Sequence, residues 1–162
     1  MSERDLRAMI DYASGWAEKF FAEHGAISAL YHIVTADGED LVMPKPMPNN
    51  KDASAALVKA YFETKKVVRY VYIDEAWFLE ANSDELTEAD HARFASKGLG
   101  DEPNRREAIM FVAEDRERQM TARRVITRVG EKAELGPLIV DDDVVESSGR
   151  MMGMLRPAGA MQ

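Results

Sequence analysis

Residues 3–23 place Leu6, Met9, Ile10, Ala13, Trp16, Ala17, Phe20 and Phe21 at i, i+3, i+4 and i+7 spacing, the pattern of one helical face. Ser2 followed by Asp5 imitates a capping box, and Gly25 is a natural stop. The stripe reads as a core face, with a dimer seam as the alternative.

From Ile27 to Thr35 the chain is β-branched, aromatic or small. Ala36-Asp37-Gly38-Glu39 then supplies an Asp-Gly turn, and Leu41-Val42-Met43 resumes the apolar run, which predicts a β-hairpin. Pro44, Pro46 and Pro48 break any ladder, and Asn49, Asn50 or Asp52 can cap a helix carrying Leu57, Val58, Tyr61 and Phe62. That helix is expected to end near Lys66, where cations suit the negative end of the helix dipole.

Val67 to Ile73 is a strand with apolar groups at both parities, hence central: Val67, Val71 and Ile73 on one face, Val68, Tyr70 and Tyr72 on the other. It is expected to continue past Asp74-Glu75 through Trp77 and Phe78. Residues 81–104 are acidic and glycine-containing, with Thr87 and Asp90 able to start a short helix that Gly98 ends; they read as an insertion or lid. Glu107–Glu114 and Met120–Val129 alternate around a turn-like Asp115-Arg116-Glu117-Arg118, a second hairpin. Leu135–Val140, entered through Gly136-Pro137, is expected as one final edge strand, and residues 149–162 form a methionine-rich tail.

The order helix, hairpin, helix, strand, insertion, hairpin, strand predicts one α+β domain over residues 1–162. It should hold a mainly antiparallel sheet of about five or six strands with two main helices packed on it. Across residues 3–129 this order resembles the layout of profilin-like, roadblock-type and GAF or PAS-type domains. The resemblance is one of element order and implies a fold that hosts sensors, scaffolds and dimerisation modules alike.

Composition narrows the chemistry. The chain has 162 residues, 46% apolar, enough for one core. It has no cysteine, which removes disulfides, thiolate metal sites and cysteine nucleophiles. A net charge of −8 disfavours nucleic acid and anionic lipid as general partners. The acids near the start and the lack of a long apolar run give no secretory signal or membrane span, so the expectation is a cytoplasmic protein.

The candidate chemistry is sparse. His32 within the first strand could meet Glu75 or Glu114 across the sheet, forming an acid–base pair or part of a metal triad. A satisfied sheet histidine is the plainer reading. Asp141 and Asp143, alternate members of an acidic run after Leu138-Ile139-Val140, could share a cation or merely solvate a strand end. Residues 105–128 hold seven arginines against four acids, and Arg116, Arg118 and Arg123 are the candidates for gripping an anion. Cross-strand ion pairing is the competing use. No phosphate loop, nucleophile elbow or histidine metal motif occurs, and no cofactor is implied. The expectation is therefore a small binding or scaffold module, a homodimer without catalysis of its own. An enzyme or ligand sensor built on His32, Glu75 and Glu114 is the alternative, and anion or nucleic-acid binding by the arginine hairpin comes third.

Overall fold

The periodic apolar stripe at the start of the chain becomes α1 (Glu3–His24), which Gly25 ends: its φ is +72° and its N–H donates to Phe21 O at 2.7 Å. The structure, a computed structural model, describes residues 3–47, 49–79, 86–98, 104–141 and 153–155. Ser2, expected to cap α1, lies outside them.

The hairpin forms β1 (Leu30–Thr35) and β2 (Asp40–Pro44), joined through Gly38 at φ +82°, a backbone state that glycine adopts without penalty. Asn50 caps α2 (Lys51–Lys65), its Oδ1 accepting from Ala53 N at 3.0 Å, and Lys66 closes the helix in the left-handed conformation. β3 (Val67–Phe78) then runs past Asp74-Glu75 to Phe78 in unbroken register with β4 (Arg106–Asp115). Between them Thr87 and Asp90 build a complete capping box for α3 (Glu88–Lys97), a helix without a buried residue. Asp115 shapes the next turn, its Oδ1 accepting from Glu117 N and Arg118 N at 2.8 and 2.7 Å, and leads to β5 (Gln119–Val129).

Two expectations change here. Leu135–Val140 is not one strand but the end of β6 (Lys132–Leu135) and the whole of β7 (Ile139–Val140), both paired with β5. Pro137 has no N–H to give a ladder, so pairing along β5 is interrupted there while Gly136 N–H still bonds Val125 O at 2.8 Å. The turn at Gly130, φ +63°, makes β6. Second, the register of β1 against β3 shifts between Val34 and Thr35, which brings Val67 to the face of Tyr70 and Tyr72 and leaves Val68 on the other.

Among the described residues the sheet is wholly antiparallel, ordered β2-β1-β3-β4-β5-β6 with β7 beside β5, so the α+β class stands. Each main helix covers one face. Leu6, Ile10, Ala13, Ala17 and Phe21 of α1 pack on Val71, Ile73, Ile109, Phe111, Ala122 and Ile126. On the opposite face Val58 and Phe62 of α2 pack on Tyr31, Ile33, Tyr70 and Tyr72, joined by Met154 and Leu155 of the tail. Strand alternation alone produces this division, since successive side chains leave a strand on opposite sides.

Candidate functional site

The sheet's alternation separates the residues expected to act together. Glu114 lies on the α2 face opposite Tyr70, while His32 and Glu75 point to the α1 face. His32 stands opposite Val71, so Glu75 is four residues, ~13 Å, farther along β3. There Glu75 Oε1 accepts from Ile27 N at 2.7 Å and pins the chain leaving α1. The three residues do not converge.

His32 instead meets Asp40, a diagonal neighbour across the β1–β2 pair, with Nε2 3.0 Å from Oδ1. Nε2 thus faces the carboxylate, and the buried Nδ1 has no partner among the described residues. The Tyr12 ring lies 5.4 Å from the imidazole. Tyr12 and His32 together separate two adjoining recesses. One of about 60 Å³ is lined by Trp16, Leu30 and Val42. The other, of about 380 Å³, opens toward Asp5, Asp40 and Arg69. An aspartate-oriented imidazole beside a mixed recess can hydrogen-bond a small ligand.

On the other face, Glu114 is fully buried and surrounded by donors. Tyr70 Oη donates to its Oε2 at 2.8 Å, Gln119 Nε2 to its Oε1 at 2.5 Å, and Gly153 N–H to both oxygens at 2.9 Å. Met154 N–H in turn donates to Tyr70 Oη at 3.3 Å. Burial, then the adjacent Glu114 charge, pushes the Tyr70 hydroxyl well above the ordinary tyrosine range. Burial also raises Tyr31 and Tyr72, the latter helped by Asp74, which accepts from Tyr72 Oη at 2.9 Å. A groove of about 490 Å³ runs on from Leu155 past Phe62 and is bordered by Lys66, Glu63 and Arg116.

The arginines divide by use. Arg123 binds Asp141 at 2.9 Å and lies over Phe78, and Arg128 binds Glu107 at 2.6 Å. Buried Arg124 donates to Gly136 O at 2.8 Å and reaches Ser14 and Glu18 of α1. Arg116 and Arg118 are exposed in the β4–β5 turn. Asp141 is already engaged by Thr121 Oγ1 at 2.5 Å as well as by Arg123, so a cation placed there would compete with a guanidinium. Asp143 lies outside the described residues, among which no three acids or histidines gather as a metal site does. Among them, too, no helix is long and apolar enough to cross a membrane.

Sequence reasoning missed Asp40 as the partner of His32 and Tyr70 as the partner of Glu114. The Asp-Gly turn carried the first signal, because it sets the hairpin register. No local signal carried the second, which depends on pairing β3 with β4 across forty-odd residues of chain. The chain matches no family model, no curated protein and no solved structure.

Proposed function

We propose that this chain is a small binding module that acts by pairing with a second copy of itself along β2. The observation that carries the reading is the composition of that edge. β2 ends the sheet, its Val42 is 67% exposed, and Tyr12 of α1, 69% exposed, lies beside it over the same apolar recess with Trp16. An open ladder edge flush with exposed apolar groups is the arrangement that soluble proteins otherwise avoid. Antiparallel pairing about a two-fold axis would pair the outward backbone groups of Asp40–Met43 and cover Val42 and Tyr12 of both copies. Pro44 limits the pairing to those residues, since it contributes no N–H.

A second reading, a small-ligand sensor at His32–Asp40, is favoured by the Nδ1 of His32, without a partner among the described residues, beside the two recesses. One native mass spectrum at micromolar concentration separates the two. The first reading predicts twice the 18.2 kDa chain mass, and Val42→Lys returns it to the single mass with unchanged circular dichroism. A single mass for the wild type at every concentration would overturn it. Added mass that His32→Ala removes would carry the second reading.

A further inference from the structure

The α2 face of the sheet is completed by a short turn of chain, Gly153–Leu155. Gly153 sits at φ +70°, a conformation that favours glycine, and its N–H forks between the two oxygens of buried Glu114. Met154 N–H donates to Tyr70 Oη. The Met154 and Leu155 side chains are only 6% and 8% exposed, packed in the cluster of Phe62, Val67 and Tyr70. Recognition by main-chain donors together with two apolar seats is how proteins read peptides. One further feature makes the contact exchangeable. The groove bordered by Lys66 and Arg116 opens directly beside Leu155, so the seat is reached from solvent.

We propose that the Glu114–Tyr70 seat is a peptide-binding site, held in cis by Gly153–Leu155 and able to take the same segment from a second copy of the chain. Its ligand class is a glycine followed by two large apolar residues. Glu114 accepts the backbone N–H, the positive φ selects glycine, and the α2 face selects the side chains. The site is separate from the β2 edge, so Val42→Lys leaves it intact.

The test is fluorescence anisotropy with a labelled peptide of residues 149–159 against the full-length chain. In the wild type the tethered segment competes at an effective concentration in the millimolar range. Full-length Leu155→Asp, and the milder Leu155→Ala should the first fail to fold, are expected to bind the peptide at least ~10-fold more tightly than the wild type. Adding Glu114→Gln is expected to remove most of that gain, and a peptide carrying Gly153→Val is expected not to bind. Equal affinity for wild type and variants, absence of binding to a variant with wild-type circular dichroism, or equal binding of the Gly153→Val peptide would each overturn the proposal.

Discussion

Replacing Glu114 by alanine tests the buried network from the inside. The substitution removes the acceptor of three donors at once: the Tyr70 hydroxyl, the Gln119 amide and the Gly153 N–H. A buried donor left unmet costs about 1–3 kcal/mol. Gln119 is half-buried and can turn to water, and Gly153 can lift away, but lifting it exposes Met154 and Leu155. Tyr70 is fully buried and has no such escape. The expected loss is on the order of 3–5 kcal/mol, a drop of about 1.5 M or more in the urea midpoint at a slope of about 1–2 kcal/mol/M. Tyr70→Phe alone should cost about 1–2 kcal/mol, because it removes one bond to Glu114 and the acceptor of Met154 N–H. In the Glu114→Ala background the same change should cost at least ~1 kcal/mol less, since the hydroxyl it deletes is already orphaned. Urea unfolding followed by far-ultraviolet circular dichroism reads all four proteins. Single costs that add within ~0.5 kcal/mol, or a Glu114→Ala loss under ~1 kcal/mol, would refute the reasoning.

Alkali should act through the same face. The hydroxyls of Tyr31, Tyr70 and Tyr72 are raised in the folded state, so they keep their protons while the unfolded chain ionises, and stability is present below about pH 10 and lost above it. The slope is up to about 1.4 kcal/mol per pH unit per ring. Urea midpoints between pH 8 and 11 check this, and a flat profile through pH 11 would refute it. At the start of α2, Asn50→Ala should cost about 1 kcal/mol and Asn50→Asp almost nothing, because either Asn or Asp can accept from Ala53 N–H, as thermal unfolding would show.

Much of the fold is written in local pattern. The eight apolar positions of α1, the caps at Asn50 and Thr87, the Asp-Gly turn and the Asp115 turn each reside within a few residues, and each appears where the spacing puts it. The departures have non-local causes. Val67 changed faces because β1 shifts register against β3, which no property of the Val67–Ile73 run reveals. β6 was hidden because Lys132–Leu135 is short and mixed, and only pairing with Ile126–Val129 makes it a strand. For the site, His32 and Glu114 were legible as unusual residues in strands. Their faces follow from parity, but their partners follow from which strand lies next to which, and composition does not encode that order.

Arg124 joins the two ends of the fold in time as well as in space. It ties β5 to Ser14 of α1 across 110 residues of chain, and α1 rests its apolar stripe on strands that come later in the sequence. At translation speeds of about 5–20 residues per second, the last of those strands, β5, is made roughly 5–20 s after α1. Until then the face that Leu6, Ile10 and Phe21 present is only partly covered, by the earlier strands that carry Val34, Val71 and Ile73. Its docking, through contacts so distant in sequence, is set to be a late and slow event of folding.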